Sequence, residues 1–99
     1  MAERITALRT QPRDNVAKCV LAQRAGEAAA YEADGEAVTV RLLDDIPFGH
    51  KFAIRPIAAG DEIIKYGYPI GRAVRDIQPG EHVHIRNVGS LRCNGTEGG

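Results

Sequence analysis

The chain has no excess charge of either sign: thirteen Lys and Arg balance thirteen Asp and Glu, interspersed along its length. Nucleic-acid binders concentrate Lys and Arg in a stripe or patch, and single-strand binders add aromatic platforms. Neither occurs here, and the five aromatics do not interleave with basic residues. Nucleic-acid binding is therefore excluded as an expectation. No apolar run approaches the ~20 residues that span a bilayer. The opening Met1-Ala2-Glu3-Arg4 leads into a polar stretch without the apolar segment of a signal peptide. Cys19 and Cys93 are far apart and form no C-x-x-C pattern, so a disulfide framework is not expected. These absences together read as a cytoplasmic chain without membrane contact. No P-loop or dinucleotide fingerprint occurs, and no serine stands in a nucleophile elbow, so self-sufficient catalysis finds little support.

What is present is one small domain's worth of chain, 99 residues, against the roughly 100–150 of a common domain. So short a chain has little room for both a core and a deep pocket, which favours a module working with something larger. A polar lead-in is expected over residues 1–13, a β domain over 14–90 and a flexible tail over 91–99. Val16 to Ala22 is a compact apolar run of strand length. Val38, Val40 and Leu42 alternate with Thr39 and Arg41, the period-two pattern of a half-buried strand. Ala17 to Ala30 is the one place for a helix, and Gly26 would keep it short.

One device recurs: a glycine, then an acid, then alternating apolar residues, at Gly26-Glu27, Gly35-Glu36, Gly60-Asp61 and Gly80-Glu81. Glycine permits the positive φ of a tight turn, and a strand follows at once. Ile57-Ala58-Ala59-Gly60-Asp61 is echoed by Ile77-Gln78-Pro79-Gly80-Glu81, with strands expected at Ile63 to Tyr66 and Val83 to Val88. Two similar turns explain the echo more simply than an internal duplication. Either way the fold class is mainly β, with short strands joined by Gly- and Pro-containing turns.

Few residues offer chemistry. His82 and His84 flank Val83, and alternate residues of a strand share a face. Val83 and Ile85 would then enter the core while His82, His84 and Arg86 point outward. Two imidazoles so spaced can converge on a metal or present donors to an anionic substrate; a solvated polar face is the plainer reading. His50, between Gly49 and Lys51, sits on an expected tight turn. Should it fold near the other two, three imidazoles would approach a zinc- or iron-type ligand set. Lys51, Lys65 and Arg86 are candidates to clamp a carboxylate. Tyr66 and Tyr68, in Lys65-Tyr66-Gly67-Tyr68-Pro69, read as core aromatics beside a glycine hairpin, and Cys19 as a buried core thiol.

Taken in order, Asp14-Asn15-Val16-Ala17, Asp44-Asp45-Ile46-Pro47-Phe48-Gly49-His50-Lys51-Phe52-Ala53, Ile64-Lys65-Tyr66-Gly67 with Ile70-Gly71-Arg72-Ala73, and Gly80-Glu81-His82-Val83-His84 with Asn87 resemble the N-terminal domain of the altronate and galactarate dehydratase family. The same small domain serves as a separate subunit in altronate dehydratases and sulfolactate sulfo-lyase. The resemblance implies a SAF-type β-clip fold. It also implies a large catalytic subunit, a sugar-acid substrate, and iron or manganese held mainly by that partner. In fused relatives the large region would follow residue 99, so a split enzyme is expected. The implied chemistry is β-elimination from a hydroxy acid, with a base at the α proton and water or sulfite leaving. His50, His82 and His84 are then the candidate catalytic donors or shared metal ligands, and Asn87 joins the three basic residues as a substrate-binding candidate. Two other classes stay open. One is a free-standing module binding sugar acids or other anions; the other is an oligomerisation domain, since short strands leave open edges for self-association.

Overall fold

A computed structural model describes residues 4–84 and 87–89. Among them there is no helix, so the fold is mainly β as expected. The strands are β1 (Ala7–Leu8), β2 (Val16–Cys19), β3 (Ala28–Ala33), β4 (Glu36–Arg41), β5 (Lys51–Ala53), β6 (Glu62–Lys65), β7 (Tyr68–Ala73), β8 (His82–Val83) and β9 (Val88–Gly89). They form a four-stranded sheet in the order β1-β2-β5-β8, a β3-β4 hairpin and a three-stranded β6-β7-β9 sheet. Every pairing is antiparallel. With no helix, none is long and apolar enough to cross a membrane.

Four turns organise these strands, each opened by a buried residue: Gln23, Ile46, Ile57 and Ile77. Gln23 bridges to Ile46, and Ile57 bridges to Ile77. Each turn closes with a glycine at φ between 82° and 93°: Gly26, Gly49, Gly60 and Gly80. The hydrogen bonds repeat as well. Gly26 N–H donates to Leu42 O and Gly60 N–H to Ala73 O, both at 2.8 Å. Gly49 N–H donates to Cys19 O at 2.9 Å and Gly80 N–H to Ala53 O at 2.8 Å. Arg41 reaches Gly26 O as Arg72 reaches Gly60 O, and Asp45 caps Ala25 N–H as Asp76 caps Ala59 N–H. Residues 19–50 and 53–81 are thus two copies of one unit. The echo between residues 57–61 and 77–81 joins partner turns within one copy; the structural repeat runs from Gly26 to Gly60 and from Gly49 to Gly80. Reading the echo as two similar turns therefore understates the fold.

Each copy has its own core. Ala17, Cys19, Ala29, Tyr31, Leu42, Ile46 and Phe52 fill the first; Val16, Ala53, Ile57, Ile63, Ile77 and Val83 fill the second. Cys19 and Val83 are buried as expected. The helix considered over Ala17 to Ala30 is instead strand, turn and strand, because Gly26 adopts a φ of 93° and breaks the run. The expected core role of Tyr66 and Tyr68 is also corrected: they are 50% and 72% exposed, while Tyr31 is buried. Tyr66 is itself a central turn residue at φ 58°, which carries its ring away from the small-residue core. The run from Val83 to Val88 is not one strand, since β8 ends at Val83 and β9 starts at Val88. The segment read as a polar lead-in includes β1, whose Ala7 is fully buried against β2. Ile85, Arg86, Cys93 and the expected tail over 91–99 lie outside the described residues.

Candidate functional site

Three of the four turns end in an acid whose carboxylate caps the turn's second residue. Glu27 accepts from Arg24 N–H, Asp61 from Ala58 N–H and Glu81 from Gln78 N–H. In the remaining turn the second residue is Pro47, which has no N–H to cap. An acid there would have nothing to accept, and the position is free for His50. The turn still closes, with His50 N–H donating to Pro47 O at 3.0 Å and Cys19 N–H to His50 O at 2.9 Å. His50 is therefore fixed at the entry of β5.

The neighbouring strand β8 supplies His82, and the bend that follows it supplies His84. Phe52 pairs with His82, and Lys51 with Val83. His82 N–H donates to Asp44 Oδ2 at 2.9 Å. Asn87, 2% exposed, locks the turn that follows: it accepts from His84 N–H at 2.8 Å and donates to His82 O at 2.7 Å. Both ends of its amide are spent on the backbone, so here Asn87 shapes the histidine turn.

The three imidazoles meet. Ring centroids lie 5.1 Å apart for His50–His82, 4.7 Å for His50–His84 and 5.2 Å for His82–His84. His50 Nδ1 is 2.9 Å from His82 Nε2. In that contact one ring nitrogen donates and the other accepts, the direction being set by the tautomers. All three rings are half-buried, and one nitrogen from each lies within 4.8 Å of the others. Three imidazole donors suit iron or zinc, whereas manganese favours oxygen donors. The residues present thus fit iron better than manganese.

A second group of polar side chains lies around β6. Lys18 and Lys51 are register partners on β2 and β5. Lys65 Nζ donates to Tyr66 Oη at 2.9 Å and lies 4.1 Å from the centre of that ring. Burial pushes the Lys51 ammonium below its ordinary pKa, and the charge on Lys65 adds to this. The Tyr66 hydroxyl is likewise lowered, first by its bond to Lys65, then by the charges of Lys65, Lys18 and Lys51. The structure thus brings Lys51 and Lys65 together as candidates, and adds Lys18 and Tyr66, which sequence reasoning missed. The available signal was a lysine inside the apolar run Val16–Cys19. Arg86 lies outside the described residues.

Asp14 holds this second group in place. It is 1% exposed and accepts four hydrogen bonds: from Thr10 Oγ1 (2.8 Å), Gln11 N–H (3.2 Å), Tyr66 N–H (3.1 Å) and Gly67 N–H (2.8 Å). Burial alone would raise its pKa, but the bonds from Gly67, Thr10, Tyr66 and Gln11 together pull the carboxyl below its ordinary value. Asn15 completes the clamp through Ile64 N–H and Glu62 O.

The profile of the altronate/galactarate dehydratase SAF domain matches residues 5–91. The chain belongs to that family. The SAF domain is 49% identical over 51 residues to altronate dehydratase of Bacillus subtilis (strain 168), covering 52% of this chain and 10% of that protein. It is 53% identical over 51 residues to (2R)-sulfolactate sulfo-lyase subunit alpha of Chromohalobacter salexigens, covering 52% of this chain and 54% of that subunit. Altronate dehydratase of Escherichia coli (strain K12) is 49% identical over 75 residues, 76% of this chain and 14% of that protein. The SAF domain thus spans about half the length of one relative and a small fraction of the dehydratases.

Proposed function

We propose that this SAF domain is the accessory part of a two-part sugar-acid dehydratase, completing an active site built mainly by a larger catalytic subunit. The observation that carries this is the meeting of His50, His82 and His84, drawn from two separated segments onto one half-buried surface. Phe48, 70% exposed two residues before His50, offers the apolar contact that a partner would cover.

β-Elimination from a hydroxy acid needs a base at the α carbon, stabilisation of charge on the carboxylate, and an acid for the leaving group. An imidazole of this cluster whose nitrogen is not engaged as a metal ligand would donate its proton to the leaving hydroxyl. Asn87 and Asp44 keep the backbone of that cluster in one geometry, limiting the reorganisation the reaction would otherwise need. His50, His82 and His84 would hold iron jointly with ligands of the partner. When bound, the metal would supply electrophilic stabilisation to the substrate carboxylate.

A second reading within the same chemistry is the small subunit of a sulfolactate sulfo-lyase, favoured by the 53% identity to a relative that is itself a separate subunit. Reconstitution with the cognate large subunit separates the two. Assays on aldonates and aldarates should yield dehydrated keto acids, whereas the sulfo-lyase reading requires sulfite from (2R)-sulfolactate. Replacing any of the three histidines by alanine should lower kcat by about 10²-fold with the complex intact on gel filtration. Wild-type turnover in the triple alanine variant, or no lyase activity with an authentic large subunit, would overturn the proposal.

A further inference from the structure

We propose that Lys18, Lys51, Lys65 and the Tyr66 hydroxyl form a separate anion site, which takes a small oxyanion group such as sulfate, phosphate or a dicarboxylate. The site does not use the histidines, and it stands whether or not the lyase reading holds.

The first observation is how the lysines are placed. Lys18 and Lys51 face each other across β2 and β5, an arrangement in which like charges repel. Lys65 is brought to them by the second hairpin and lines one cavity with Lys18. All three residues are half-buried, so their charges are gathered near the protein surface. None has a carboxylate within ion-pair distance among the described residues, where the ion pairs are Arg72–Glu62 and Arg75–Glu81.

A second observation is the space. A cavity of about 160 Å³ opens between Leu8, Thr10, Val16, Lys18, Lys65 and Tyr66, with Asp14 at its wall. That is far below the 300–1,000 Å³ of a typical ligand pocket, so it suits a single small group. The Asp14 carboxylate is already engaged by four donors. Two lysines, Lys18 and Lys65, line this space against that one engaged carboxylate, and Lys51 is the register partner of Lys18, so the site favours an anion.

Backbone strain points to the same place. Tyr66 adopts φ 58° next to Gly67 at 78°, a type I′ turn in which Asn or Gly is the low-energy choice. The corresponding turn of the other copy uses Asp34-Gly35 at 53° and 81°. A tyrosine kept at such a position, with its hydroxyl on a lysine, is the kind of strain that marks a ligand clamp.

The test is a titration of the 15N-labelled full chain with sodium sulfate, sodium phosphate and sodium malonate, at constant ionic strength held with sodium chloride. Saturable amide shifts at Lys18, Tyr66 and Gly67, with His84 unmoved, are expected. Tighter sulfate or phosphate binding would assign a tetrahedral group, and tighter malonate binding a dicarboxylate. Lys65→Met and Tyr66→Phe, which leave the fold's contacts with Asp14 in place, should each weaken binding by about tenfold. His84→Ala should leave binding unchanged. Shifts that track ionic strength without saturating, or equal binding by Lys65→Met and wild type, would overturn the site. Lyase assays of the reconstituted enzyme with His84→Ala report separately on the histidine cluster.

Discussion

Residues 19–50 and 53–81 follow one plan, and the places where they depart from it hold the candidate site residues. Cys19 matches Ala53, Gly26 matches Gly60, Asp45 matches Asp76 and Gly49 matches Gly80 through the same hydrogen bonds. His50, however, stands where the second copy has Glu81, because Pro47 removed the N–H that an acid would cap. Tyr66-Gly67, clamped by Asp14 and bordered by lysines, stands where the first copy has Asp34-Gly35. A repeated scaffold lets one copy keep a turn for stability while the other spends the same position on a functional side chain.

The largest expected break in the comparison is at the matched glycines. A Cβ on Gly80 would meet Arg41 O at 2.2 Å, whereas one on Gly49 meets nothing within 4 Å. Both have positive φ, so Gly49→Ala should cost about 1–2 kcal/mol from backbone strain. Gly80→Ala should cost well beyond that, about 4 kcal/mol or more, or fail to fold. Urea unfolding of the pair measures the gap, and equal losses would show that the second copy yields as readily as the first.

Removal of the hairpin clamp comes next. Asp14→Ala deletes an acceptor for four donors and should destabilise by about 3 kcal/mol, while Asp34→Ala in the matching turn should stay within about 1 kcal/mol. The Asp14 carboxyl titrates below its ordinary 3.8 in the folded chain. Its contribution is therefore complete above that value and is lost as pH falls through the folded pKa. Acid unfolding followed by circular dichroism should show this loss in the wild type and not in the variant.

Smaller effects sharpen the comparison by making the copies alike. The double change Pro47→Gln with His50→Glu recreates the capped turn of residues 77–81 and should raise stability by about 1 kcal/mol while removing the histidine cluster. Thermal unfolding and a metal-binding assay would report the two effects together. Tyr66→Asn restores a residue suited to φ 58° and should stabilise by roughly 0.5 kcal/mol, at the expense of anion binding. A loss of stability in either case would mean that the functional side chain also supports the fold.

Much of the scaffold was legible in the residues. The Gly-acid pairs marked real turns, and all four of their glycines have positive φ. The alternation at Val38 to Leu42 fell on β4, and the apolar run from Val16 on β2. The outward pairing of His82 and His84 around a buried Val83 also followed from strand periodicity. Tyr66 and Tyr68 were misread because composition says only that aromatics are few. The two-residue hairpin turn puts Tyr66 at a positive φ, and Asp14 grips that turn from 52 residues away. Lys18 was passed over because a lysine in an apolar strand looks like a solvated break until its neighbour across the sheet is known to be Lys51.

Local chemistry alone therefore determined the turns, the short strands, the mainly β class and the family motifs, since glycine freedom, proline's missing donor and side-chain alternation act over a few residues. Only the tertiary structure decided that His50 meets His82 and His84 and that three lysines gather beside Tyr66. Those meetings depend on antiparallel register between strands whose partners lie thirty or more residues apart, which no local preference encodes.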